Sequence, residues 1–332
     1  MDLVTYLLGA GASAQCIPVV KGLAERIKYF SLVLETIDTT NKFHHYIKIN
    51  SQTHDSSTVA REIASDLAWL AAECEKHSSI DTFAKKLFIK KSGDYDKLKT
   101  TLSIYFTLEQ KFRHPDFRYD NFWASIINEK DIFPERMRMV SWNYDFQLEQ
   151  SYLNFSDDST LMEVYETLNI RSFNNRNQDY DTSKFSVYKL NGSAIVSSER
   201  DELAYLSDDL IDEKNFYEVL FYRYKLINNS RYKKHLSFAW EHDLTHNYFD
   251  KLKSGIWETK VLVIIGYSFP YFNRKIDTFV INECMPFLEK VYFQAPDANN
   301  LKERFKIINS KILDKNLILV TDLDQFTFPN EL

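Results

Sequence analysis

The sequence predicts an α/β fold: a mainly parallel sheet with helices on both faces and a large helical insertion after the first helix. Three observations carry this expectation. Leu3-Val4-Thr5-Tyr6-Leu7-Leu8 is a continuous apolar run, the pattern of a strand covered on both faces. It runs straight into Gly9-Ala10-Gly11-Ala12-Ser13-Ala14, and Gly22 then opens a helical stretch through Leu23, Ile27 and Phe30. Five later strand-like runs end in glycine or polar turns, where open α/β sheets hold their ligands. The architecture is therefore Rossmann-like, in a single domain over 1–332.

In chain order, the first strand, turn and helix occupy 1–27. Residues 28–130 then read as a helical insertion. Val59, Ile63, Leu67, Leu70 and Cys74 fall at helical spacing, as do Leu98, Leu102, Tyr105, Leu108 and Phe112. Ser79-Ile80-Asp81 before Thr82-Phe83-Ala84 reads as a loop ending in a helix cap. The sheet resumes over 131–332, first with Arg136-Met137-Arg138-Met139-Val140-Ser141 and a helical Phe146-Leu148-Glu149 stretch after it. Phe185-Ser186-Val187-Tyr188-Lys189-Leu190 follows, though its Asn191-Gly192 also fits a hairpin turn. Lys260-Val261-Leu262-Val263-Ile264-Ile265 is the clearest buried strand. Lys290-Val291-Tyr292-Phe293-Gln294 and Leu317-Ile318-Leu319-Val320 complete the set. The polar run 174–181 reads as an exposed loop.

Composition narrows the class. The chain has 332 residues, 44% hydrophobic and 15% aromatic, which excludes a disordered chain and permits a sizeable core. No apolar run approaches the roughly 20 residues that span a bilayer, and no basic segment precedes the first strand, so neither a membrane anchor nor a signal peptide is expected. Cys16, Cys74 and Cys284 form no CxxC pair, which suggests neither zinc nor a disulfide framework and points to a cytoplasmic location. A net charge of −6 gives no global pull toward nucleic acid or anionic lipid.

Only seven glycines occur, so the early ones are informative. Gly9 permits the tight turn, Gly11 lets the main chain approach a pyrophosphate, and Ala14 is small enough for close helix–strand packing. Exposed amides at the helix start would hold the anion. This is the G-x-G-x-x-G/A pattern of dinucleotide sites in its required context, and NAD is the expected ligand. A bare connecting turn is the competing reading. The acidic residue that usually ends a second strand and binds ribose is missing. After the second sheet run, Trp142-Asn143-Tyr144-Asp145 sets an amide and a carboxylate two residues apart, suited to a ribose hydroxyl and a carboxamide or, equally, to a turn with a helix cap.

Four segments, in order, resemble the SIR2-like family that includes the sirtuins. Gly9-Ala10-Gly11-Ala12-Ser13 looks like its phosphate loop, and Ser141-Trp142-Asn143-Tyr144-Asp145 like its strand ending in Asn-x-Asp. Lys189-Leu190-Asn191-Gly192-Ser193 is similar to its K-L-H-G-S segment, and Ile265-Gly266-Tyr267-Ser268-Phe269-Pro270 to the G-T/Y-S segment lining the nucleotide site. The sirtuin four-cysteine zinc module is absent, and Ile17-Pro18-Val19-Val20 stands where sirtuins carry Asp-Phe-Arg. With the helical insertion and Ser79-Ile80-Asp81-Thr82-Phe83, the chain looks instead like bacterial SIR2-like proteins of antiphage defence. That resemblance implies hydrolysis of NAD to ADP-ribose and nicotinamide, a homo-oligomer and possible pairing with an ATPase. It implies that Gly9, Ala10, Gly11, Ala12 and Ser13 hold the phosphates. It sets Asn143 by the nicotinamide ribose to orient water, and Asp145 facing the carboxamide. Gly266, Ser268 and Asp297 would flank the adenosine half.

One departure bears on activity. Asn191 stands where the family has its histidine, and an amide cannot exchange a proton near neutral pH as imidazole does. Three readings follow: an NAD or ADP-ribose-binding sensor or scaffold subunit without catalysis, a slow NAD hydrolase, or a disarmed form of an active parent. Two other features have simpler readings. His242 and His246, four apart, would share a helix face as zinc ligands do, but no third ligand stands out and a solvated face is the simpler reading. Tyr222-Arg223-Tyr224-Lys225 and Arg231-Tyr232-Lys233-Lys234 interleave rings and charges, yet the acids Asp208, Asp209, Asp212 and Glu213 precede them and an amphipathic helix suffices.

Overall fold

The computed structural model describes residues 2–19, 22–37, 46–49, 52–127, 133–158, 160–173, 181–194, 213–228 and 234–332. The sequence features at Val20, 174–180, 208–212 and 231–233 lie outside these residues. The strands are β1 (Leu3–Leu8), β2 (Tyr46–Ile49), β3 (Gln52–Asp55), β4 (Met137–Ser141), β5 (Ile170–Ser172), β6 (Val187–Lys189), β7 (Thr259–Ile265), β8 (Lys290–Gln294) and β9 (Leu317–Val320). The helices are α1 (Leu23–Ile37), α2 (Ser56–Lys76), α3 (Ile80–Ile89), α4 (Asp94–Lys111), α5 (Phe117–Ile126), α6 (Gln147–Phe155), α7 (Leu161–Thr167), α8 (Glu213–Ile227), α9 (Asn247–Ile256), α10 (Arg274–Thr278) and α11 (Ala298–Ile308).

Seven strands form one parallel sheet in the order β5-β6-β4-β1-β7-β8-β9. This is the Rossmann-like α/β architecture expected from the sequence. All six residues of β1 are buried because the strand is central and covered on both sides. Its alternating side chains divide between two cores. Val4, Tyr6 and Leu8 face α5, α6 and α7 with Tyr119, Trp123, Tyr152 and Val164. Leu7 faces α9, α10 and α11 with Phe249, Leu252, Ile276 and Phe305. Lys189-Leu190-Asn191-Gly192 ends a parallel strand, not one arm of a hairpin, since β6 pairs with β4 and β5.

A third core joins α1 to α4 and α8, where Phe30, Ile63, Leu67, Leu102, Tyr105 and Phe221 are all buried. Both helical stripes read from the sequence face inward here, except that Phe112 at the end of the second is exposed. Ser79 caps α3 through the Thr82 amide at 3.1 Å. The stretch 28–130 thus divides by packing: α1 to α4 join α8, whereas α5 lies on the sheet. It also holds an antiparallel pair, β2 with β3, which the sequence pattern did not reveal. No helix among the described residues is long and apolar enough to cross a membrane.

Candidate functional site

β1, β4 and β7 end level with one another, Leu8 opposite both Ser141 and Ile265. The chain builds β4, β6 and β5 on one side of β1 and β7, β8 and β9 on the other, so the strand order reverses at β1. The segments after these three strands leave the carboxyl edge side by side, where such folds open a crevice.

The glycines act there, though in a different way from the expected one. Gly9 and Gly11 donate to the carbonyls of Ile265 and Gly266 at 3.0 and 2.9 Å. A Cβ at Gly11 would fall 2.6 Å from Gly266 Cα, and one at Gly266 would fall 2.4 Å from Gly11. The two loops therefore touch backbone to backbone, and their missing side chains serve that contact. The Ala12 amide is also taken, by the Gly9 carbonyl at 2.8 Å. Ala10 is exposed, and its amide has no backbone acceptor among the described residues. Nor does a long helix begin at the loop. Ala10–Ser13 is a single 3-10 turn, and α1 starts only at Leu23, after Pro18 and after Gly22 at φ +88°.

The loop is held from behind by residues that the sequence reading missed. Arg118 donates to the carbonyls of Gly11 and Ala12 at 3.1 and 3.0 Å and forms a buried pair with Asp116 at 2.7 Å. Asp116 caps α5 and also accepts from the Gln15 amide at 3.1 Å. No local pattern reveals this clamp, because its partners lie about a hundred positions apart in the chain.

Asn143, from the β4 loop, donates through Nδ2 to Ser13 Oγ at 3.3 Å, so the two sequence-predicted segments meet directly. Ser13 also pairs with the Tyr119 hydroxyl at 3.1 Å and hydrogen-bonds Asp145. Asp145 accepts from the Gln147 amide at 3.1 Å, so it serves as the turn and helix-start residue as well as a site carboxylate. Burial pushes its pKa up to about 6, against the opposing charge of Lys189. Lys189 is buried with its ammonium 2.6 Å from Glu149 and 2.5 Å from the Asp145 carbonyl.

Asn191 donates through Nδ2 to the Trp142 carbonyl at 3.2 Å. That carbonyl only accepts, so the amide orientation is fixed and Oδ1 faces away from it. Asn143 and Asn191 are 6% and 5% exposed, and the Oδ1 of each has no hydrogen-bond partner. Each is a buried lone-pair acceptor whose desolvation is uncompensated, and Asn143 stands against the glycine loop through Ser13. Trp142 stacks on Tyr267 at 5.9 Å, and both donate to the buried Asp277 carboxylate, at 3.1 and 2.9 Å. That trio ties the β4 loop to the β7 loop.

Ser268 and Asp297 lie on the same edge but are exposed, and no contact among the described residues joins them to Asn143 or Ser13. His242 and His246 do not share a helix. His242 follows a 3-10 turn and is buried against Phe173 at 4.9 Å, which lowers its pKa to about 4; His246 caps α9. No group of three or more His, Cys, Asp or Glu arranged to hold a metal occurs among the described residues. Tyr224 and Lys225 turn toward α2, bonding Asp66 and Glu62. At the opposite, amino edge of the sheet an open cleft of about 1230 Å³ is lined by Arg138, Arg171 and Glu258 among others. Arg138 there binds the carbonyls of Glu135, Met137, Thr182 and Ser183, a staple between segments.

The fold and this edge define a Rossmann-like protein with a buried polar cluster at the carboxyl edge of its sheet. No protein-family model and no curated protein matches the chain.

Proposed function

We propose that the crevice binds NAD and hydrolyses it slowly to ADP-ribose and nicotinamide, a SIR2-like activity weakened by Asn191. The observation that supports this most is the meeting of Asn143 with Ser13, with Asn143 Oδ1 and, from the residue bonded to the adjoining Trp142 carbonyl, Asn191 Oδ1 both left without donors. Such oxygens suit ribose hydroxyls, which bring donors. The pyrophosphate is assigned to the exposed turn at Ala10, with the Gly9–Gly11 and Gly266 backbones as the wall behind it.

In hydrolysis the bond between ribose C1′ and nicotinamide breaks, and the electron pair leaves with nicotinamide. Positive charge grows on the ribose, where the Asp145 carboxylate stabilises it by charge. Asn143 Oδ1 accepts from the attacking water, whose oxygen bonds C1′ and whose proton passes to solvent. No base at position 191 takes that proton, and this keeps turnover slow. In the cell we assign the activity to antiphage defence in the cytoplasm, exerted by a homo-oligomer or together with a partner ATPase.

The test is nicotinamide release from NAD by purified protein, with calorimetric titration of NAD and ADP-ribose alongside. Asn191→His is expected to raise turnover about 10²-fold or more, the lower range for restoring an acid–base group. Retained binding with two silent proteins would support the second reading, a sensor or scaffold subunit, which the amide of Asn191, bound to the Trp142 carbonyl and unable to take a proton, favours. Absence of binding to both ligands would defeat the proposal.

A further inference from the structure

An ordinary dinucleotide fold supplies a ribose-binding carboxylate from the end of its second strand. Here no strand among the described residues after α1 brings an acid to that position in the parallel sheet. We propose that Asp81, delivered from the helical layer, takes that role and accepts the paired hydroxyls of a ribose of the bound dinucleotide. The inference rests on the NAD reading above and names a residue which that reading leaves out.

Four observations support it. Asp81 lies in the first turn of α3, fixed there by the Ser79 cap. Its Oδ1 accepts the Tyr144 hydroxyl at 2.7 Å, and Tyr144 stands between Asn143 and Asp145 on the β4 loop. Its charge also reaches the phenol of Tyr267, which follows Gly266 on the β7 loop. Asp81 therefore reaches the β4 loop from the helical layer, with its charge felt as far as Tyr267 on the β7 loop. Finally, the carboxyl is incompletely satisfied. Beyond Tyr144 and its own amide no donor among the described residues reaches it, and the residue is mostly but not fully enclosed. Desolvation raises its pKa above the usual carboxylate range, as for an acid enclosed without a cation. A carboxylate with a free oxygen accepts two neighbouring hydroxyls at once, and charge-assisted bonds of this kind are the strong ones.

The experiment is calorimetric titration of NAD and ADP-ribose into wild type, Asp81→Asn, Asp81→Ala and Tyr144→Phe. Asn keeps a carbonyl for the Tyr144 hydroxyl but loses the charge, so Asp81→Asn isolates the ligand contact from the internal bond. We expect Asp81→Asn to weaken both ligands about tenfold and Asp81→Ala about 100-fold, the range for hydrogen bonds to a charged group. Tyr144→Phe removes the internal bond and keeps the carboxylate, so its affinity should stay within about threefold of wild type. Unchanged affinity in Asp81→Asn, or equal losses in Asp81→Asn and Tyr144→Phe, overturns the inference and leaves the NAD reading standing. A wild type that binds neither ligand removes the parent reading instead.

Discussion

Lys189 shows how much of the site's support is invisible along the chain. Its ammonium bonds Glu149 with both side chains at most 3% exposed, and it also holds the carbonyl of Asp145. The K-L-N-G-S resemblance drew attention to Lys189, but Glu149 lies 40 positions away and carries no local signal. Breaking one side of a buried pair strands the other charge. Lys189→Met should therefore lower stability by about 3–5 kcal/mol in urea denaturation. Adding Glu149→Leu should restore most of the loss, because two apolar groups leave no orphan charge; a double variant as unstable as the single one would contradict this. Asn143, Asp145 and Ser13 were legible as candidates because polar residues at strand ends are few. Their mutual bonding was not, since Asn143 and Ser13 are 130 positions apart.

At the scale of elements, strands were readable wherever burial on both faces made the apolar run continuous. β1, β4, β6, β7, β8 and β9 all follow runs found in the sequence. β5 did not show, because Ile170-Arg171-Ser172 is too short and mixed for either period, and the β2–β3 pair carries Lys48, Gln52, Thr53, His54 and Asp55. The glycine turns were visible, but their partner was not. Sequence reasoning aimed Gly11 at a ligand, whereas the space beside it holds Gly266. Gly266 lies at φ +61°, and its added Cβ would sit 2.4–2.5 Å from backbone atoms of Gly11 and Ala12. Gly266→Ala should thus cost about 1–3 kcal/mol or more, and it should weaken any ligand held at the edge by pushing the two loops apart. Gly93→Ala is the fitting contrast, since a Cβ there meets nothing within 4 Å and its φ is −60°. That change should leave urea stability level or raise it by about 0.4–1 kcal/mol. Similar losses from the two substitutions would argue against the loop contact.

Over the whole molecule, burial of ionisable groups around the carboxyl edge fixes how stability depends on pH. Asp145 is raised to about 6, Asp277 is raised to about 8 and His242 is lowered to about 4, each by desolvation first. An acid with a raised pKa holds its proton in the folded state after the unfolded chain has released it, so stability falls as pH climbs toward the folded value. A base with a lowered pKa does the opposite: the unfolded chain binds the extra proton, and stability rises with pH up to the unfolded value. Between about pH 4 and 6 Asp145 and His242 therefore work against each other and largely cancel, while Asp277 tilts the balance downward. Above about pH 6.5 His242 is neutral in both states and Asp145 is ionised in both, which leaves Asp277 in control. One proton difference is worth about 1.4 kcal/mol per pH unit, so stability should drop by about 2 kcal/mol from pH 6.5 to 8. Asp277→Asn keeps an acceptor for Trp142 and cannot ionise. It should begin about 1 kcal/mol below wild type at pH 6.5, from a weaker bond to Tyr267, and then stay level to pH 8. Urea denaturation of both proteins at pH 6.5, 7.25 and 8 checks this, and parallel slopes would mean that Asp277 is already ionised against Trp142 and Tyr267 throughout the range.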